Sequence, residues 1–228
     1  MKFRKKLLAS IALATTLLLA VGLSTANAAT VKGTATLNAG TLSLVNLFPS
    51  GLNWSATLTG NNFYLATTGA GNNPPDGQME VDDATGSGKG WNITVSMNQF
   101  CVLSAGACPT TNPQTLPNSN VYVNGHQSST TNSDLVTTLP TGTTPPYACA
   151  TGSTCTLPAT SSTINLTYPV NILSNGTSQG TASLVSYAAA NSGMGSINIP
   201  LDWWLYVPGN TLAGTYNSTF TILLNSGP

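Results

Sequence analysis

The chain has 228 residues, with six basic and six acidic side chains, one histidine and a formal net charge of zero. So few lysines and arginines leave no basic surface to neutralise a phosphate backbone, which argues against nucleic acid and anionic lipid as partners. Val, Ile, Thr, Trp and Tyr recur in blocks, which argues against a disordered chain.

Residues 1–28 are predicted to be a secretory signal peptide. Basic residues open the chain, an apolar run extends from Leu7 to about Leu23, and Ala26-Asn27-Ala28 supplies the small residues for cleavage. An uncleaved membrane anchor is the alternative, because the run is close to the length that spans a bilayer. Cleavage near Ala29 leaves a charge of about −4, from two basic and six acidic residues. We therefore expect a secreted, extracellular protein.

Residues 29–228 are predicted to form a single all-β domain, an antiparallel, immunoglobulin-like β-sandwich of two layers. Short β-rich runs are separated by Gly, Pro, Asn and Ser, and no amphipathic helix pattern of useful length follows residue 29. Apolar and polar side chains alternate in several runs, as on half-buried strands. The predicted strands are Thr41–Leu47, Trp54–Leu58, Trp91–Met97, Ile164–Ile172, Thr181–Ala188, Ser196–Val207 and Thr215–Leu224.

The segment from about 101 to 162 is predicted to be a long surface loop between the two halves of the sandwich. It is rich in Thr, Ser, Pro and Asn. Because each proline removes a backbone donor, a segment this rich in proline is a poor source of central strands. We expect only one short strand within it, at Val121–Val123.

Four cysteines border or lie within this segment. An even number of cysteines in an exported chain predicts disulfide bonds. Local pairing, Cys101–Cys108 and Cys149–Cys155, is favoured, and cross-pairing between the two clusters is the alternative. A zinc site is not predicted, because the spacing is wrong and the chain has one histidine. Neither a metal nor a cofactor is expected.

An acidic cluster, Asp76, Glu80, Asp82 and Asp83, is the nearest approach to a metal or catalytic site. We expect Glu80 and Asp82 at a strand edge and Asp83 in the turn that follows. A weak calcium site is the alternative, although the D-x-D-x-D-G register is absent. A second and weaker alternative is that two of these carboxylates are the acid and base of a glycosidase.

The sequence predicts no catalytic residues and no enzyme activity. His126, the only histidine, lies in a polar stretch and is expected in a solvated turn. Catalysis needs a convergent set of activatable groups, and the chain offers very few.

Two distant stretches resemble the paired motifs of the WxL family, which are wall-binding domains on the surface of Gram-positive bacteria. The first is Trp91-Asn92-Ile93, which follows the glycine-rich turn 86–90 and has Ile93 where the family has leucine. The resemblance extends from about Ala35 to Pro228, with the 101–162 segment as an insertion.

The second motif lies near the C-terminus and begins at Tyr216. Thr221 and Leu224 match the family pattern, whereas Phe220 replaces a leucine and Ile222 replaces a tryptophan. The alternative explanation of the two motif aromatics, Trp91 and Tyr216, is that both are core residues at strand starts, with Tyr216 forming a tyrosine-corner hydrogen bond.

The resemblance implies a non-catalytic, cell-wall-associated protein that binds peptidoglycan or an associated glycan without covalent attachment. Exposed aromatic side chains are the usual platform for sugar rings, and Trp203 and Trp204 are the candidates. Because neighbouring strand residues face opposite sides, we expect one in the core and the other exposed. The alternative function is a self-associating subunit of a surface layer or fibre, since charge-poor sandwiches with open edges can pair edge to edge.

Overall fold

The computed structural model describes residues 34–47, 51–67, 78–118, 120–126, 135–176 and 178–228. Residues 38–228 form one compact unit, which is the subject below. Of the separate unit 1–37, only residues 34–37 are described, and they are exposed. The predicted signal peptide therefore lies outside the described residues.

The described residues form an all-β structure in which every strand pairing is antiparallel. They include no helix, and hence none that is long and apolar enough to cross a membrane. The strands are β1 (Leu42–Leu47), β2 (Phe63–Ala66), β3 (Met79–Asp83), β4 (Trp91–Met97), β5 (Cys101–Val102), β6 (Val121–Gly125), β7 (Leu135–Val136), β8 (Ala148–Cys149), β9 (Val170–Ile172), β10 (Ser183–Ala188), β11 (Gly195–Ile199), β12 (Leu201–Val207), β13 (Tyr216–Asn217) and β14 (Phe220–Ser226).

Three sheets and a two-stranded ribbon enclose one hydrophobic core. The sheet orders are β1-β3-β11-β8, β10-β4-β14 and β7-β2-β12-β6-β9, and β13 pairs with β5. Buried side chains from all three sheets meet in a single cluster. Between the layers, the Trp203 ring of β12 lies 6.0 Å from the Phe220 ring of β14. The predicted fold class, an antiparallel β-sandwich, is confirmed.

Strand β4 shows why alternation was a good guide to the core. Trp91, Ile93, Val95 and Met97 are all fully buried, because side chains two apart on a strand share a face. Burying each of these large apolar side chains contributes about 1.5–3 kcal/mol relative to exposure. Strands β10 and β14 flank β4 and hold it at the centre of its sheet.

Four strand predictions are wrong in detail. The predicted strand 215–224 is two strands, β13 and β14, which belong to different sheets. Residues 54–58 form no strand, and Trp54 instead packs against Phe100 and Phe220. Strand β9 begins only after Pro169, which lacks a backbone donor. The predicted strand 196–207 is two strands, β11 and β12, which are separated at Pro200 and belong to different sheets.

The interpretation of segment 101–162 as a surface loop is also wrong in its central part. The short strand expected there is β6, which lies between β12 and β9 in the five-stranded sheet. Val121 and Val123 are fully buried. Strand β8, also in this segment, pairs with β11 at the end of another sheet. Prolines lie between these strands and not within them, so the proline content of the whole segment was misleading.

Candidate functional site

The two motif strands lie side by side in the structure. Strands β4 and β14 pair along seven positions, with Ser226 opposite Trp91 and Leu224 opposite Ile93. Trp91 is fully buried, and its indole Nε1 donates a hydrogen bond to the Gly193 carbonyl oxygen at 2.8 Å. This part of the motif therefore belongs to the hydrophobic core.

The C-terminal motif residues also make mainly internal contacts. The Tyr216 hydroxyl donates to the Leu212 carbonyl oxygen at 2.8 Å and accepts from Gln114 Nε2 at 2.8 Å. Phe220 and Leu224 are half-buried and pack against the core. Thr221 is half-buried on the other face of β14. These contacts support the explanation of the motif as a signature of the fold.

The expectation that Trp203 or Trp204 presents an exposed ring is wrong. Trp203 is 0% exposed and Trp204 is 2% exposed. The two indoles do face opposite sides of β12, as the alternation predicts. However, Trp204 is covered by a second, smaller apolar cluster that includes Tyr64, Tyr122 and Leu139. Neither indole is available as an open platform for a sugar ring.

Three half-buried tyrosines form an aromatic cluster on the outer face of the five-stranded sheet, opposite the core. Tyr64 of β2 lies directly across from Tyr206 of β12. Their ring centroids are 5.1 Å apart, and the Tyr122 ring of β6 lies 5.8 Å from Tyr64. We call Tyr64, Tyr122 and Tyr206 the tyrosine face. Its edge-on and tilted ring contacts are those that aromatic side chains prefer.

The tyrosine face is partly shielded from water. Burial raises the pKa of Tyr122 above 10.0, the neighbouring Tyr64 and Tyr206 raise it further, and a hydrogen bond with Asn171 acts in the opposite direction. Tyr122 therefore keeps its proton at neutral pH, and its hydroxyl is able to donate a hydrogen bond. Beneath the face, Trp204 Nε1 is buried and has no acceptor among the described residues.

Sequence reasoning missed the tyrosine face, although a signal for it exists. Each tyrosine lies between two apolar residues, as Phe63-Tyr64-Leu65, Val121-Tyr122-Val123 and Leu205-Tyr206-Val207. In a strand, this pattern buries both neighbours and directs the tyrosine to the opposite face. The missing information was that the three strands adjoin in one sheet.

A separate groove of about 1310 Å³ opens beside β14. Its walls include Leu52, Trp54, Leu58, Tyr216 and Ile222. The groove is large, its lining is polar and apolar in similar measure, and the second motif forms part of it. It lies beside the edge of a sheet, whereas the tyrosine face lies on a sheet's outer surface.

Two residues of the acidic cluster, Glu80 and Asp83, are engaged in structural contacts. Glu80 Oε1 accepts from Ser196 Oγ at 3.0 Å, and Asp83 Oδ1 accepts from the Thr85 backbone N at 3.0 Å. Asp83 thus forms the expected turn. The expected strand edge is wrong, because β3 lies between β1 and β11. Asp76 lies outside the described residues, which contain no group of three or more metal-ligating side chains.

His126 is not in a solvated turn. Its Nδ1 atom lies 2.7 Å from Asp202 Oδ1, and the two side chains are 8% and 2% exposed. His126 follows β6 directly, and Asp202 is the second residue of β12. The pairing of these two strands brings the side chains together, and no local sequence feature indicates it.

Both cysteine pairs lie at disulfide distance in the structure. The Cα atoms of Cys101 and Cys108 are 5.8 Å apart, and those of Cys149 and Cys155 are 5.5 Å apart. Cys101 is fully buried at the start of β5, whereas Cys149 is exposed in β8. Local pairing, the favoured alternative, is thus the geometry found.

Comparison with known families gives one match over nearly the whole chain. A family model described as "WxL domain surface cell wall-binding" matches residues 28–228. No curated protein and no solved structure matches the chain.

Proposed function

Because this chain belongs to the WxL family of surface cell wall-binding domains, we propose that it is a secreted protein that binds a wall glycan non-covalently. The ligand is peptidoglycan or a glycan attached to it. The protein holds the polymer without changing its covalent structure. We further propose that the tyrosine face, Tyr64, Tyr122 and Tyr206, makes the main contact.

The observation that carries this proposal is the clustering of three tyrosine rings on one sheet face. Tyr64 and Tyr206 lie opposite each other, with Tyr122 on the next strand but one from Tyr64. Tyrosine combines an apolar ring with a polar hydroxyl. A sugar ring has apolar C–H faces and hydroxyls at its rim, so it complements such a cluster. Sites for small polar ligands are built in the same way, from aromatic walls and a few polar groups.

Polar groups beside the rings add to this complementarity. Across three adjacent strands, Trp204 lies opposite Tyr122, and Tyr122 lies opposite Asn171. The Asn171 amide is therefore next to the tyrosine face.

The contacts of the acidic side chains support a non-catalytic role. Glu80, Asp83 and Asp202 each hold a hydrogen bond to another side chain of the protein. A retaining or inverting glycosidase needs two carboxyl groups that face one sugar ring. The hydrogen bonds of Glu80, Asp83 and Asp202 serve a sheet, a turn and a buried pair, respectively. Of the three, only Asp202 shares a sheet with the tyrosine face.

Co-sedimentation with purified wall sacculi tests the proposed function. Wild-type protein should sediment with sacculi and remain in solution without them. Sacculi stripped of covalently attached glycans distinguish peptidoglycan from an attached polymer, since binding should persist only in the first case. Soluble sugar fragments released during incubation would contradict the non-catalytic role. Absence of binding to both intact and stripped sacculi would contradict the proposed function.

A further inference from the structure

The outer edge of β14 offers unpaired backbone groups. In the part of the chain that the structure describes, β14 is the last strand of its sheet and β4 is its only hydrogen-bonded neighbour. Asn98 N donates to Thr219 O, and Gly227 N donates to Gly90 O. Since bonded and non-bonded residue pairs alternate along an antiparallel ladder, the odd-numbered residues of β14 bond to β4. The even-numbered residues, Phe220 to Ser226, direct their N–H and C=O groups outward.

This edge lacks the features that normally prevent pairing with another chain. Proteins protect edges with lysine, proline, inward-pointing charges or very short strands. Strand β14 has seven residues, Phe-Thr-Ile-Leu-Leu-Asn-Ser, and none is charged or proline. Leu223 at its centre is 51% exposed. Strand β1, the end strand of another sheet, approaches β14 without a hydrogen-bonded ladder between them and is also charge-free.

We propose that β14 pairs with β14 of a second copy of this chain, antiparallel and centred on Leu223. In this register Ile222 lies opposite Leu224 of the other copy, and Phe220 lies opposite Ser226. All four are even-numbered, so their outward N–H and C=O groups meet in hydrogen-bonded pairs. The symmetry is two-fold and the three-stranded sheets of both copies become one continuous sheet.

The side chains of β14 are complementary to themselves in this register. On the outer face, Leu223 meets Leu223 of the second copy as a non-hydrogen-bonded pair, in which side chains approach most closely. Thr221 lies opposite Asn225, which forms a polar pair on each side of the leucines. On the inner face, Leu224 of the second copy extends the apolar row beside Ile222. The groove next to Phe220 and Ile222 provides space for it.

Two features of β14 favour pairing with a second copy of this chain over pairing with a strand of a different protein. From Thr221 to Asn225, the polar and apolar positions of β14 are arranged symmetrically about Leu223. Each exported copy carries about four net negative charges, yet the paired edge contains none of them. Association therefore places no like charges opposite each other at the interface. This interface goes beyond the proposed wall binding and does not depend on it.

Sedimentation velocity over a range of concentrations tests the proposal. Wild-type protein should show a reversible monomer–dimer equilibrium. Leu223→Lys and Leu223→Glu each place two like charges at the centre of the interface and should weaken dimerisation by about tenfold or more. An equimolar mixture of Leu223→Lys and Leu223→Glu should dimerise again, because opposite charges then face each other.

Leu157→Lys provides a matched control, because Leu157 is 46% exposed and lies outside the strands. It should dimerise like the wild type. Recovery in the mixture also excludes misfolding of the single variants. A wild type that is monomeric at every concentration would overturn the proposal. Dimerisation that Leu223→Lys leaves unchanged, or a mixture that stays monomeric, would do the same.

Discussion

Ile93 of β4 lies directly opposite Leu224 of β14, and both side chains pack into the core between the layers. These residues belong to the two WxL motifs, which are far apart in the sequence. Their pairing makes the two motifs one structural unit. Because that unit faces the core, residues outside the motifs must supply most of the surface that meets the wall.

The motif unit depends on close packing between Trp91 and Gly193. Gly193 has a φ of +69°, and a Cβ atom there would lie 2.6 Å from Trp91 Nε1 and would also collide with Ala188. Gly193→Ala should therefore destabilise the protein through backbone strain of about 1–2 kcal/mol and overpacking of about 1–3 kcal/mol. Urea unfolding followed by tryptophan fluorescence measures the loss.

Gly86→Ala separates strain from overpacking. Gly86 has a similar φ, +63°, but a Cβ atom at that position would meet nothing within 4 Å. This variant should show the strain cost alone. Equal losses of stability in Gly193→Ala and Gly86→Ala would contradict the close packing of Gly193 against Trp91.

The sequence was sufficient to predict features that depend on local periodicity. Alternation in 91–97 predicted both the strand and its buried face, and the acidic turn at Asp83 followed from local residue chemistry. Features that depend on which strands adjoin were not predictable. The strand at 121–123 was predicted, but as a short strand within a surface loop. Only the pairing of β6 with β12 and β9 shows its central place in a sheet.

The tryptophans illustrate the same limit. Alternation correctly placed Trp203 and Trp204 on opposite faces of β12. It gave no information about which side chains cover the face on which Trp204 lies. Trp204 is buried because Tyr64 and Tyr122, from neighbouring strands, and Leu139 pack over it. The accessible aromatic surface on this face is therefore formed by the tyrosines and not by Trp204.

The two disulfides should contribute unequally to stability despite similar loop lengths. Their sequence separations are 7 and 6 residues, so the chain-entropy model gives about 2 kcal/mol for each. Replacing both Cys101 and Cys108 by serine should cost about 1–3 kcal/mol more than replacing Cys149 and Cys155, because a hydroxyl then enters the buried Cys101 site. Thermal unfolding of both double variants measures the difference.

Alanine replacements provide the control for the disulfide comparison. Alanine adds no polar atom at the Cys101 position, so the two alanine double variants should differ much less than the two serine ones. A difference of the same size in both series would show that hydroxyl burial is not the cause.

The His126–Asp202 pair should stabilise the junction of β6 and β12. The two atoms are 2.7 Å apart and both side chains are largely buried. His126→Ala removes a hydrogen bond to a carboxyl group, which is typically worth about 1.5–3 kcal/mol. In a double-mutant cycle with Asp202→Asn, the two losses should be clearly non-additive. Additive losses would mean that the pair contributes no coupling energy.

Two partly buried tyrosines should make the protein less stable at alkaline pH. Burial raises the pKa of Tyr168 and of Tyr147 above the ordinary value of 10.0. The unfolded chain therefore loses these protons first. Their contribution to the free energy of unfolding is fully present below about pH 10. It decreases as pH rises above that value, by at most about 1.4 kcal/mol per pH unit for each tyrosine.

Tyr168→Phe isolates one of these contributions. The variant loses the hydrogen bond from the Tyr168 hydroxyl to the Val185 carbonyl oxygen, 2.6 Å long, and should be less stable at neutral pH. Above about pH 10, its stability should decline less steeply than that of the wild type, because one ionisable group is gone. Urea unfolding at several pH values measures both slopes. Parallel slopes would contradict this assignment.

The central claim is that the tyrosine face holds a wall glycan, and the most direct measurement compares sacculus binding by two variants at one position. Tyr206→Ala removes the ring and should weaken binding by about tenfold. Tyr206→Phe keeps the ring and should bind within about twofold of the wild type, as should the surface control Leu157→Ala. Unfolding curves of the same preparations establish that each variant is folded. Wild-type binding by folded Tyr206→Ala would contradict the account.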